Sequence, residues 1–136
     1  MIRAAKQSDI PMIVALWEDF HAEANPPYSF DKPSAYAFVG GMIESKDAIV
    51  LVSSRGVICG FVTPNPVNFE WKMAMELYWW AEDGKGGELM KAFKKQARDM
   101  GADEIRISCR ASTPKVGNHL ERTGFALDEQ VYTRIN

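Results

Sequence analysis

The sequence predicts a mixed α/β fold in which helices cover both faces of one sheet. The first sign is the pair of runs "AIVLVSS" and "VICGFVT", joined by Arg55-Gly56, which reads as an antiparallel hairpin. The second is the order strand 73–80, helix 86–100, strand 104–110. That βαβ unit obliges its two strands to run parallel.

Each element has a local reason. "SDIPMIVALWEDFHAEA" spaces Ile10, Ile13, Trp17 and Phe20 as one helical stripe, opened by Ser8 or Asp9 with Pro11 in the first turn. "NPPYSFDKP" breaks the helix, because tandem prolines cannot occupy a helix interior. A shorter helix over about 34–44 follows. "PNPVNFEW" is a loop or wide turn, and "MAMELYWW" is a strand, apolar apart from Glu76. In 86–100, Leu89, Met90, Phe93, Ala97 and Met100 share one face, Lys94, Lys95 and Arg98 the opposite, solvated one, and Gly101 stops the helix. "DEIRISCR" alternates as a strand should, "TPKVGNHLERTG" is a short helix opened by Thr113 and Pro114, and "FALDEQVYTRI" closes the chain as a strand. No repeat or low-complexity linker divides residues 1–136, so a single domain is expected.

Composition narrows the function. The net charge of −2 gives no electrostatic basis for a nucleic-acid partner. Two distant cysteines without a CxxC, and only two histidines, argue against a disulfide framework and against a zinc site. The opening residues lack a signal-peptide core and no run approaches 18 apolar residues, so no membrane partner and a cytoplasmic location are expected.

The chemistry concentrates in "ELYWWAEDGKGGELM", residues 76–90. A strand runs through "AEDGKGG" straight into a helix start, where unpaired N–H groups and the helix dipole favour an anion. Gly84, Gly86 and Gly87 carry no Cβ, so a ligand oxygen could approach the amides closely, and Lys85 adds a full charge. A phosphate or pyrophosphate suits such a site. The turn has neither GK[ST] nor GxGxxG, so it is not a P-loop or a dinucleotide fingerprint.

In its succession of motifs the chain resembles the GNAT (GCN5-related) N-acetyltransferases. The carriers are "IRAAKQSDIPMI", the hairpin "RGVICGFV", Gly84-Lys85-Gly86 followed by Leu89-Met90, and "LERTGF" followed by Tyr132. The resemblance spans nearly the whole chain and implies a mostly antiparallel mixed sheet, acetyl-CoA as co-substrate, and transfer of the acetyl group to an amine. It further implies that Trp79, Trp80, Ala81, Gly84, Lys85, Gly86, Gly87 and Glu88 surround the cofactor, with amides holding its pyrophosphate. Two departures stand out. The family's Gln or Arg before the glycines is missing, as in a loop shortened by about three residues. Leu120 stands where a general-acid tyrosine is frequent, and Thr113 where an asparagine is usual. The short chain and irregular loop are also similar to GNAT-like proteins of phage and prophage.

Glu76 and Tyr78 are the catalytic candidates. A carboxylate in an otherwise apolar strand is costly without a purpose, and near acetyl-CoA it could accept the amine's proton; alternatively it lies at an exposed edge or pairs with a lysine. Strand alternation puts Tyr78 on Glu76's face, at the acceptor pocket. Tyr132, Ser108, His119 and Cys109 are weaker acid candidates; His119 reads as a helix-surface residue and Cys109 as a small core residue. The aromatic loops 24–38 and 64–72 (Tyr28, Phe30, Tyr36, Phe38, Phe69, Trp71) could wall a site for a small-molecule or peptide amine, or form a homodimer face. Two alternatives to the enzyme are a GNAT-fold binding or regulatory module and a nucleotide-phosphate binder.

Overall fold

The computed structural model describes all residues, 1–136. Its elements are β1 (Arg3–Ala4), a 3-10 turn (Gln7–Asp9), α1 (Ile10–Ala24), α2 (Lys32–Glu44), β2 (Ala48–Ser53), β3 (Gly56–Asn65), β4 (Asn68–Ala81), α3 (Gly86–Asp99), β5 (Glu104–Arg106) and α4 (Pro114–Arg122). The five strands lie in chain order, antiparallel from β1 to β4, and β4 pairs β5 in parallel.

Alternation along the strands divides the apolar side chains between two cores. Val50, Val52, Val57 and Cys59 face α1 and α2, where they meet Ile13, Leu16, Trp17 and Val39. Ile49, Leu51, Ile58, Val62 and Ala74 face the other way, against Leu89, Met90, Phe93 and Ala97 of α3 and Leu120 of α4. Helices on both faces are therefore required by the strand pattern, and the stripe expected on α3 is the one buried. α1 ends at Asn25, whose left-handed φ of 48° lets its N–H reach the His21 carbonyl before Pro26 and Pro27. α2 starts at Lys32, two residues earlier than its apolar pattern suggests, because Asp31 accepts the Ser34 N–H and hydroxyl and caps it.

Three elements differ from their expected bounds. The stretch 64–72 is less a loop than the tip of a long β3–β4 hairpin, carrying exposed Phe69 and Trp71 away from the sheet centre. β5 stops at Arg106 instead of 110, pairing only with Met73–Met75. Residues 125–136 form no strand: Leu127, Val131 and Tyr132 are exposed, and the segment is tied to β5 through Arg106, which pairs with Asp128 and Glu129.

One irregularity governs the centre of the sheet. Gly60 pairs with Glu76 and Cys59 with Tyr78, so Leu77 is an extra residue in β4, a β-bulge. Gly60 is needed opposite it: a Cβ there would sit 2.2 Å from the Met75 carbonyl oxygen. Gly60→Ala is therefore expected to destabilise the fold by about 1–3 kcal/mol, the usual cost of overpacking. A urea midpoint equal to that of the wild type would show that the bulge is not held as tightly as its geometry requires.

Candidate functional site

Beyond Met75, β4 has no strand on its β5 side, because β5 ends at Arg106 and the two chains part as a fork in the pairing. Glu76 sits at that fork. It is 9% exposed, and its Oε1 accepts the Ser108 N–H at 3.1 Å, so the side chain substitutes for a ladder bond where the ladder ends. It has neither an exposed position nor a lysine partner, which removes both structural alternatives raised by the sequence. Burial pushes its pKa up from 4.5 to about 7, against the opposing pull of the Ser108 N–H.

Tyr78 does not share Glu76's face. Unbroken alternation would put Ala74, Glu76 and Tyr78 together, but Ala74 belongs to the α3-side core and Tyr78 packs against the α1-side core. The extra Leu77 reverses the alternation between them. Trp80 follows Tyr78 to the α1 side, while Trp79 and Ala81 pack toward α3.

On the α1 side lies a cavity of about 470 Å³ between α1, α2, the 25–31 connection and the bulge. Its walls include Trp17, Phe20, Tyr28, Phe30, Phe38 and Tyr78, with Leu77 beside them. Trp17 stacks on Tyr78 at 4.3 Å and Phe20 meets Tyr78 edge-on at 5.7 Å. His21 Nε2 lies 2.8 Å from the Tyr28 carbonyl oxygen, a bond that folds the connection back onto α1. Of the aromatic residues expected to wall a site, Tyr28, Phe30 and Phe38 do so; Tyr36, Phe69 and Trp71 do not line it. Trp17, Phe20 and His21 were missed because their spacing on α1 reads as an ordinary core stripe.

The glycine turn follows the C-terminal end of β4. Gly84 has a φ of 74°, which only glycine adopts without strain. No side chain caps α3, and Cβ atoms at Gly84 or Gly87 would meet nothing within 4 Å, so the helix start is open to a ligand. At Gly86 the space is bounded by Trp79 Nε1 at 3.6 Å, and the same indole donates to the Gly86 carbonyl at 3.0 Å. Lys85 is not a free cation; its Nζ is 3.5 Å from Glu88 Oε1.

Asp83, which sequence reasoning overlooked, organises this turn. Its carboxylate accepts Ser53 Oγ–H at 2.7 Å, Ser54 Oγ–H at 3.1 Å, Arg55 N–H at 2.9 Å and Lys85 N–H at 3.0 Å. The 82–85 turn is thereby fastened to the β2–β3 turn. Desolvation would raise this carboxyl's pKa, but those four bonds outweigh it and hold it well below the usual range. Glu82 forms a coupled acid pair with Asp19, in which Asp19 keeps the shared proton and Glu82 is the member held low, its carboxylate bonded by Arg55 at 2.6 Å and the Trp80 indole at 3.1 Å. The signal for Asp83 was local: an acid two residues before an N–H in a glycine turn is an Asx-turn former.

The remaining candidates lie apart. Cys109 is exposed beside Gly117, not a core residue, and Leu120 is buried in the α3-side core. His119 is half-buried on α4, and Tyr132 is 88% exposed. Cys59 is buried, and desolvation followed by the neighbouring Glu76 raises its thiol pKa, which leaves it an inert thiol.

No protein-family model matches the chain, and no curated protein sequence matches it. Solved structures do. A transcriptional regulator from Bacillus halodurans C-125 aligns over 100% of this chain and 99% of its own at 17% identity, with a TM-score of 0.81. A predicted acetyltransferase with acetyl-CoA, from Clostridium acetobutylicum, aligns over 100% and 95% at 11% identity and 0.77. An aminoglycoside acetyltransferase from an uncultured soil metagenomic sample, in complex with sisomicin, aligns over 100% and 94% at 16% identity and 0.73. The chain shares the fold of these structures, the GNAT fold. No helix is long and apolar enough to cross a membrane.

Two outcomes are expected from these contacts. A carboxylate whose pKa rises on folding binds its proton more tightly in the native state, so Glu76 lowers stability as pH climbs from 4.5 through about 7. Glu76→Gln should match the wild type in stability near pH 4 and exceed it above pH 7, by up to roughly 3 kcal/mol. Parallel urea titrations at the two pH values check this, and an unchanged difference between them contradicts it. Asp83→Ala should accelerate hydrogen exchange of the Arg55 and Lys85 amides while the α3 interior keeps its protection; slow exchange at both amides would show that Asp83 does not hold the turn.

Proposed function

We propose that this protein is an N-acetyltransferase that takes its acetyl group from acetyl-CoA and passes it directly to a bound amine. One observation carries the reading. The fork between β4 and β5 opens beside a buried Glu76, with an uncapped helix start at one end and an aromatic cavity on the α1 side. The neighbours with acetyl-CoA and with sisomicin support both halves of it.

The residues present fit the cofactor. The amides at Gly86, Gly87 and Glu88 would hold the pyrophosphate, aided by the helix dipole, with open space where the Gly87 side chain would stand. Trp79, Trp80 and Ala81 would flank the pantetheine arm, and β4 backbone beyond Met75 offers groups with no ladder partner for the acyl carbonyl. Bound acetyl-CoA supplies a thioester whose C–S bond breaks as the C–N bond forms. Leu77 and Tyr78 shape the floor on which the amine rests. Glu76, with a pKa near neutrality, takes a proton from the incoming ammonium through water, since it sits at the fork and not among the residues that line the α1-side cavity. Cys59 is buried with its thiol pKa raised, so it offers no activated thiolate for a covalent intermediate.

One feature favours a second reading. Glu82 and Glu88 put negative charge beside the cradle and Lys85 is already paired, which weakens its hold on an anion, so a GNAT-fold binding or regulatory module that holds CoA weakly or not at all is the runner-up.

The two separate cleanly by experiment. Acetyl-CoA at a hundred times its dissociation constant should stabilise the protein by about 2.7 kcal/mol. Glu76→Gln should lower acetyl transfer roughly a hundredfold while leaving that stabilisation in place. Wild-type activity should rise with pH through an apparent pKa near 7, as Glu76 loses its proton. Stabilisation without any transfer, or no stabilisation at all, would select the module over the enzyme.

A further inference from the structure

The charges around the α1-side cavity restrict what it can accept. Apart from its tyrosines, the titratable lining groups are His21, Asp31 and Arg110, one fixed negative and one fixed positive charge. Asp31 already caps α2 through the Ser34 N–H at 3.0 Å and the Ser34 hydroxyl, and Arg110 Nη2 donates to the Ala24 carbonyl at 3.4 Å. A ligand carrying several ammonium groups would have to strip water from each with only Asp31, already engaged by Ser34, to receive them, which is costly.

The walls favour a different body. Six aromatic residues face the space, and they brace one another: Trp17 on Tyr78, Phe20 on Tyr78, and Tyr28 and Phe30 against the His21 ring at 5.5 and 5.6 Å. Such a box takes a flat apolar group by stacking and a single cation over a ring face. A cavity of roughly 150 Å³ holds benzene, so about 470 Å³ leaves room for one or two rings and a short aminoalkyl arm. Apolar walls also lower an amine's pKa, helping it reach the neutral form that attacks.

We infer that the acceptor is an aromatic primary monoamine of the arylalkyl type, seated with its ring among Phe20, Tyr28 and Phe30 and its nitrogen toward Leu77. The inference rests on the acyl-transfer reading for its chemistry but not for its binding. In the step itself Glu76 takes one proton from the ammonium, the neutral nitrogen bonds to the thioester carbonyl carbon, the C–S bond breaks, and the nitrogen's next proton leaves with the sulfur as free CoA thiol.

The test compares 2-phenylethylamine, spermidine and sisomicin as acceptors, with thiol release from acetyl-CoA as the readout. The kcat/KM for 2-phenylethylamine should exceed that of either polyamine at least tenfold. Tyr28 is 67% exposed, so Tyr28→Ala should fold normally. It should raise the KM for 2-phenylethylamine severalfold, with the KM for acetyl-CoA unchanged. Equal or better turnover of spermidine or sisomicin, or an unaltered KM in Tyr28→Ala, overturns the proposal. If no amine releases thiol, the acyl-transfer reading falls, and ligand-observed NMR still decides the pocket. Binding of 2-phenylethylamine that is lost in Tyr28→Ala and not displaced by spermidine upholds the assigned class; no binding rejects it.

Discussion

Leu77 is one residue more than β3 can pair, and much of the site follows from where that surplus falls. A bulge bends its strand and reverses the faces of every residue beyond it. Tyr78 and Trp80 are thereby delivered to the α1 side, where Tyr78 becomes a wall of the cavity, while Trp79 turns toward α3 and reaches the Gly86 carbonyl. On the other edge, pairing with β5 stops at Met75. Glu76 is left in the fork with one amide for company, buried enough to keep its proton to near pH 7. Gly60 makes the bulge sterically feasible, since any side chain there would strike the Met75 carbonyl.

What could be read beforehand depended on how local its cause was. The α3 stripe, the hairpin at Arg55-Gly56 and the βαβ order each follow from spacing within a few residues, and they stand in the structure as expected. The oddity of Glu76 was equally local, because a lone carboxylate among apolar neighbours shows in the sequence itself. The bulge did not show, since it is a property of two strands' register and not of either strand alone; the expected companionship of Glu76 and Tyr78 failed for that reason. The closing strand failed for another. Leu127 and Val131 are separated by Asp128-Glu129-Gln130, and the two acids find Arg106 rather than a ladder.

The same contrast runs through the glycine turn. Its glycines announce an open helix start, and Gly84 and Gly87 do leave the space that such a role needs. The fastening was hidden because Asp83 draws its donors from the β2–β3 turn, nearly thirty residues earlier in the chain. By gathering two hydroxyls and two amides, Asp83 spends its charge inside the turn instead of projecting it toward the helix start. The 82–85 turn is in this way held by the β2–β3 turn beside it. The cost is an acidic surround that only a well-directed set of amides can overcome.

The central claim is that the fork beside Glu76 joins a cofactor arm, threaded past β4, to an acceptor cavity on the α1 side. A crystal structure of the protein with CoA tests it most directly. The account predicts the pyrophosphate on the amides of Gly86, Gly87 and Glu88, and the sulfur in the fork near Leu77, within reach of the Tyr78-lined cavity. CoA bound elsewhere on the surface, or a fork closed by continued pairing of β5 along Leu77–Ala81, would contradict it.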